Sequence, residues 1–231
     1  MSITIGQADP AWVSPLVNFL AVVLGGLLTW ATTRHFEQKR QRNQDHALAY
    51  ALVFKIQSLT DEIWKIDREI KNAIKRAAAE NFHGPLWAIL DEIIGLDESL
   101  ERISAEELTL VARTKDADLV IKIREIESGH TILKMVLAKI HELRASPDLR
   151  KHAKSVKGRV VSFAGNQEEF PAIAHIFICL DDLSGGLGEM SDRVSKNAKE
   201  VAVKIGGHLK SYYRLSPFIS LSAPPDMKTD S

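Results

Sequence analysis

For 22 consecutive positions, Trp12 to Thr33, the stretch "WVSPLVNFLAVVLGGLLTWATT" carries no charged side chain. As a helix rising about 1.5 Å per residue it reaches about 33 Å, enough for a hydrocarbon layer of about 30 Å. No other feature constrains the chain as strongly, because a soluble helix of this length buries one stripe and carries charge on the opposite face. Trp12 and Trp30 stand near its two ends, where indole rings favour the headgroup level. Arg34, Lys39, Arg40 and Arg42 follow it, whereas only Asp9 and the amino terminus precede it. A cleaved secretory signal starts with bases and has a shorter apolar region, and "MSITIGQADP" holds no base. The positive-inside rule therefore predicts an extracytoplasmic tail over 1–11, a transmembrane helix over 12–33 and a basic juxtamembrane helix over 34–48. The expected location is the cell (inner) membrane, single-pass, with the N-terminus outside and the C-terminal body cytoplasmic.

Within the apolar stretch the small and polar residues are ordered. Ser14, Asn18, Ala21, Gly25 and Thr29 step by four, three, four and four, which puts them on one stripe of a helix. In lipid, small residues let helices approach closely and an amide seeks a partner across the interface, so this stripe is the candidate face for membrane-helix association. Asn18 also admits a second role, lining a wet pore. Arg34, Lys39, Arg40 and Arg42 set topology, and bases in that position are also able to meet anionic lipid headgroups at about 1 kcal/mol each.

Beyond the collar, heptad spacing begins. Ala49, Leu52, Ile56, Leu59, Ile63, Ile66, Ile70, Ala73 and Ala77 alternate steps of three and four, which predicts one seam with Asp61, Glu62, Lys65, Asp67 and Lys71 outside it. Leu52 to Ile70 is the expected bundle seam, and the spacing alone leaves open whether it closes within one chain or between copies. "HGP" at His83 to Pro85 predicts the break, followed by a short helix from about Leu86 to Arg102. Ser104-Ala-Glu-Glu107 is a capping box that starts the next helix. "TKDAD" at Thr114 to Asp118 kinks or interrupts it, the pattern resumes over Leu119, Ile123, Ile126, His130, Leu133, Leu137 and Ile140, and Pro147 ends it. "RKHAKSVKGR", Arg150 to Arg159, reads as a basic connector. The last seam, Ile173 to Val201, keeps its phase through "SGGLG" at Ser184 to Gly188, so one helix with a bent or close-packed middle is expected, two joined helices being the alternative. No segment reads as a strand. The expected fold is all-α: a single N-terminal transmembrane helix continuing into an elongated cytoplasmic helical bundle over 49–214 with coiled-coil-like seams, and a disordered tail over 215–231.

Chemical motifs are sparse. The one cysteine, Cys179, excludes an intramolecular disulfide framework and a cysteine-rich zinc site. Thirty basic residues against thirty acidic ones give no general attraction to nucleic acid, and the basic connector lacks the interleaved aromatics of a single-strand binder. Glu127-x-x-His130 and Glu80-x-x-His83 match the spacing of bundle di-metal sites, but the seams from Ala49 to Ala77 and Ile173 to Val201 supply no inward acids. His175, Cys179 and Asp182 lie one turn apart and suit a metal or a base beside a thiol, though a cysteine in "AHIFICL" reads first as a small buried hydrophobe. His130, on its seam, reads as a core histidine bonded to a neighbour, with a pH response as the functional alternative. The acidic run from Asp91 to Glu107 and the basic one from Arg150 to Arg159 read as solvated faces. No phosphate loop, nucleophile elbow or His-Glu-x-x-His is present, so no catalytic residue, cofactor or metal is expected.

The layout, a short tail, one span, a basic collar and a helical body, resembles that of bacterial single-pass membrane proteins, and no motif names a family. The leading expectation is a non-enzymatic, membrane-anchored helical module that binds protein partners or copies of itself. The alternative is a membrane effector whose oligomerised spans perturb the bilayer, and a remote one is a carboxylate-bridged metal enzyme.

Overall fold

A run of residues without a helix breaker from Leu27 to Phe82 lets one helix, α1, extend over Val13–Ala79. Pro15 falls in its first turn, where no intrahelical N–H bond is lost. The computed structural model describes residues 13–91, 93, 102–156, 159–163 and 170–213. The chain divides into two compact units, Met1–Ala47 and Leu48–Ser231. In the first, the described part is α1 alone, and its side chains from Val17 to Gln44 are exposed.

The second unit is built around the seam of α1. Leu52, Ile56, Ile63 and Ile66 are fully buried within a single chain, with Ala49, Leu59, Ile70 and Ala73 alongside and Ala77 packed at the edge. Burying an isoleucine side chain contributes about 1.5–3 kcal/mol, so these positions dominate the stability of this unit.

The end of α1 is set before "HGP". Asn81 takes a left-handed φ of 50°, the Phe82 N–H reaches the Ala77 carbonyl at 2.8 Å and the Asn81 N–H reaches Ala78 at 3.2 Å. Those bonds are a Schellman stop, with Phe82 as its apolar residue. His83 to Pro85 only follow it. Because Asn81 sits where glycine is favoured, Asn81→Gly is expected to be neutral or slightly stabilising. Asn81→Ala is expected to lose about 1 kcal/mol, read from urea unfolding; equal stability of the two variants would sink the assignment.

Helix α2 spans only Leu86–Ile89, not to Arg102: Leu90 is already extended, at φ −71° and ψ 120°. Much of the remaining expected helix, 92 and 94–101, lies outside the described residues. Trp87 is buried at the foot of this turn, and its indole N–H donates to Asp181 at 2.6 Å. Arg144 donates to the Leu90 carbonyl that the helix end leaves open.

Helix α3, Ala105–Ala112, starts on the capping box: Ser104 Oγ accepts from the Glu107 N–H at 3.2 Å, and Glu107 accepts from the Ser104 N–H at 2.7 Å. "TKDAD" interrupts rather than kinks. Lys115 is left-handed (φ 63°), and Asp116 caps α4, Ala117–Arg144, by accepting from the Leu119 N–H at 3.0 Å. Every α4 seam position from Leu119 to Ile140 is buried, His130 included. Pro147 does not merely end α4; it opens a short helix, α5, over Pro147–His152, with Ser146 Oγ accepting from the Leu149 N–H.

The basic connector is not irregular. It forms an antiparallel hairpin, β1 (Ala153–Val156) with β2 (Arg159–Phe163), pairing Val156 with Arg159 and Ala153 with Phe163, with a register shift between Lys154 and Ser155. The last seam is divided between α6, Phe170–Gly185, and α7, Leu187–Tyr213, with a turn at Gly186. The middle is packed on one side only: Ser184 and Leu187 are buried, whereas a side chain at Gly185 or Gly186 would meet nothing within 4 Å. The Met190 N–H bonds the Gly186 carbonyl at once, which is why the apolar phase survives the break.

Helices α4 and α7 run antiparallel. Lys122 reaches Glu200 at 2.6 Å, Asn197 reaches Glu125 at 3.4 Å, and Gly129 lies against Val194. Among its described residues, this unit is thus a predominantly helical body with one short hairpin.

Candidate functional site

In the first unit the candidate site is the α1 surface itself. Asn18, Ala21, Gly25 and Thr29 are exposed along one stripe, and Ser14 lies in the same helix. Thr29 donates its hydroxyl to the Gly25 carbonyl at 2.8 Å, and Thr32 bonds Leu28 and Thr29 likewise, so both hydroxyls are satisfied inside the helix as an apolar solvent requires. Gly25 and Gly26 face open space: an added Cβ would meet nothing within 4 Å. Phe19, Val22, Leu24 and Leu28 are also exposed, and this helix is long and apolar enough to cross a membrane. Arg34 holds its guanidinium over the Trp30 ring, 5.2 Å from the centroid, and Lys39, Arg40 and Arg42 are exposed.

In the second unit, polar contacts penetrate the core at several levels along α1. Lys55 straddles both carboxylate oxygens of Glu107, at 2.9 and 3.1 Å, from beside the seam. Burial pushes the Glu107 carboxyl up, but the Ser104 N–H and the Lys55 ammonium more than offset this, and it stays below the usual range. One heptad on, Glu62 meets His130 Nε2 at 2.7 Å, with the Lys134 ammonium at 3.8 Å from the same oxygen. Asp67, buried, accepts from Ser191 at 3.1 Å and from Lys71 at 2.8 Å, and Lys71 bridges on to Asp192 at 3.1 Å. Glu62, Lys65 and Asp67 do lie outside the seam, on its flanks, but not in open solvent. Glu62 and Lys65 are half-buried and Asp67 is buried, because helices cover both flanks of α1 and not its seam alone. Farther along, Glu200 receives Lys122 and Lys204, each at 2.6 Å, which pulls its carboxyl down to about 2.

Burial pushes the His130 imidazole below the ordinary histidine range; the Glu62 carboxylate opposes this and Lys134 adds to it. A folded-state value below the unfolded one means that this histidine favours folding above about pH 6.5, and that the benefit is lost as pH falls through the folded value. The stability advantage of the wild type over His130→Gln is accordingly expected to shrink from about pH 7.5 to about pH 5.5. An advantage that grows on acidification would mean that the Glu62 ion pair governs the site instead.

The sequence-matched ligand sets do not converge. His130 turns to Glu62, while Glu127 accepts from the Ile103 N–H at 3.0 Å and from Arg124 at 2.9 Å. His83 is exposed in the turn after α1. The Cys179 sulfur lies 3.9 Å from both ring nitrogens of an exposed His175, and Asp182 is exposed. Among the described residues, no three His, Cys, Asp or Glu side chains converge as a metal site. Glu92, Asp97, Glu98 and Glu101 of the acidic run lie outside the described residues; Asp91 pairs with Arg76 at 2.6 Å, and Glu107, buried on Lys55, departs from the expected solvated face. Comparison with protein families, with curated proteins and with solved structures returned no match.

Proposed function

We propose that this chain is a non-enzymatic, single-pass membrane anchor at the cytoplasmic face of the cell membrane. Its spans associate through Asn18 and Gly25, and its helical body serves as an interaction module for protein partners or for further copies. The carrying observation is a contrast of burial. The seam from Leu52 to Ile70 is satisfied inside one chain, whereas the uncharged face from Val17 to Trp30 is bare. Bare apolar surface of that extent needs a covering, and a bilayer supplies it without a dedicated partner. Tethering then raises the effective concentration of every copy on the surface, so weak contacts suffice for assembly.

Alkaline carbonate extraction of membranes is the test. Retention in the pellet, with protease reaching the body only from the cytoplasmic side, supports the reading; release into the supernatant removes it. A second reading rests on Asn18, an exposed amide in an otherwise apolar run. Oligomerised spans with that amide inward perturb the bilayer, so overexpression depolarises cells and Asn18→Leu abolishes the effect. An undisturbed membrane potential at high expression rejects it.

A further inference from the structure

The four bases after the apolar stretch are not gathered on one face. At about 100° per residue, Arg34, Arg42, Lys39 and Arg40 stand at roughly 0°, 80°, 140° and 240° around α1, which encircles the helix. All four are exposed, and Glu37 is the one acid between Arg34 and Arg42. A protein partner docks on one side of a helix, whereas a headgroup layer surrounds it. The four lie within nine residues, eight steps or about 12 Å of axis, which matches one headgroup layer and the first Debye length beyond it.

One side of this collar is also shaped. Phe36, Lys39, Arg40, Asn43, Gln44 and Ala47 line a shallow concavity, at the i, i+3, i+4, i+7, i+8 and i+11 positions of one helix face. Their order along the axis runs from an exposed aromatic ring next to the apolar stretch, through two cations, to two amides. A phospholipid presents the same sequence of chemistry: acyl and glycerol, then phosphate, then a polar headgroup. We propose that this collar binds anionic phospholipid headgroups of the surrounding leaflet, with Phe36, Lys39, Arg40, Asn43 and Gln44 as the preferred seat. The inference rests on the membrane-anchor reading and names the lipid class that the anchor selects. Lys39 and Arg40 take the phosphate, Asn43 and Gln44 donate to the headgroup, and Phe36 covers the glycerol region.

The test uses the full chain reconstituted in phosphatidylcholine vesicles carrying trace spin-labelled phosphatidylglycerol or spin-labelled phosphatidylcholine. At low salt, the motionally restricted fraction is expected to favour the anionic label by about threefold, falling toward one at about 0.5 M salt. The double variant Lys39→Gln/Arg40→Gln is expected to lose most of that preference, with the salt series on the unaltered chain as the independent measure. Equal restriction of both labels at low salt overturns the collar proposal and leaves the anchor intact. Full preference in the double variant overturns the assignment of the seat. A chain that carbonate strips from the vesicles overturns the anchor reading and the collar with it.

Discussion

Ile63→Ala is expected to lower the unfolding free energy of the helical body by about 3 kcal/mol, within the range of about 2–5 kcal/mol for deleting a buried isoleucine to alanine. Ile63 is fully buried at the middle of the α1 seam, one position after the Glu62 that meets His130. Truncation there leaves a cavity that rigid helices on several sides close poorly, so the loss of transfer energy and the cavity term add. Phe54→Ala is the control, because that ring is 58% exposed despite its size. Its effect is expected to stay within about 0.5 kcal/mol. Urea unfolding of the full chain in detergent, followed by circular dichroism, separates the two. Comparable losses at Ile63 and Phe54 would mean that the seam does not carry the stability of the body.

Gly129→Ala is the second large effect, and its sign runs against helix propensity. Alanine is favoured over glycine by about 1 kcal/mol in a helix interior, so an open site would be stabilised. At Gly129, however, the new Cβ would lie 2.6 Å from Val194 Cγ2 and 3.1 Å from its Cγ1. Valine has no flexible end to swing aside, so α4 and α7 must part. Overpacking of this kind costs about 1–3 kcal/mol. The net expectation is destabilisation by up to about 2 kcal/mol, rising to about 3 for Gly129→Val. Gly207→Ala on α7 has nothing within 4 Å and is expected to stabilise by up to about 1 kcal/mol. Adding Val194→Ala to Gly129→Ala is expected to recover part of the loss, giving a favourable coupling between the two positions. A stabilising Gly129→Ala would show that the helices are not held this close.

The helical seams were legible because their period is a long-range signal repeated over several turns. Ala49 to Ala73 and Leu119 to Ile140 are buried in phase from end to end. Capping chemistry was equally legible at Ser104 and Glu107, where two side chains and two N–H groups form a local, self-contained unit. Failures occurred where the deciding partner is distant in sequence. Glu62, Asp67 and Lys55 look like an ordinary solvated face, because their partners His130, Ser191 and Glu107 are 68, 124 and 52 residues away. Gly129 carries no local sign of the valine against it. The Schellman stop at Asn81 was overshadowed by the Gly and Pro beyond it. The hairpin from Ala153 to Phe163 was hidden by its short strands and by bases that dominate its composition. Single-helix continuity through Gly186 was a fair expectation from phase, and it failed because a turn bonded to Met190 preserves phase.

These buried polar pairs bear on the proposed role. A salt bridge or a histidine pair inside a bundle adds little net stability against apolar residues of similar volume, but it penalises wrong registers by leaving a charge unpaired. Lys55 with Glu107, Glu62 with His130 and Asp67 with Ser191 fix α1 against α3, α4 and α7 at successive levels. An α1 locked in register inside its own chain has its seam committed, so on the proposed reading assembly falls to the exposed stripe from Asn18 to Thr29.

Light scattering on two forms, the full chain in detergent and a fragment beginning at Arg42, tests that division most directly. The account predicts a monomeric fragment, since Leu52 to Ile70 are satisfied within one chain, and an oligomeric full chain that Asn18→Leu returns toward the monomer. An oligomeric fragment would contradict it, because the seam of α1 would then be shared between copies and the span would not be the assembling element.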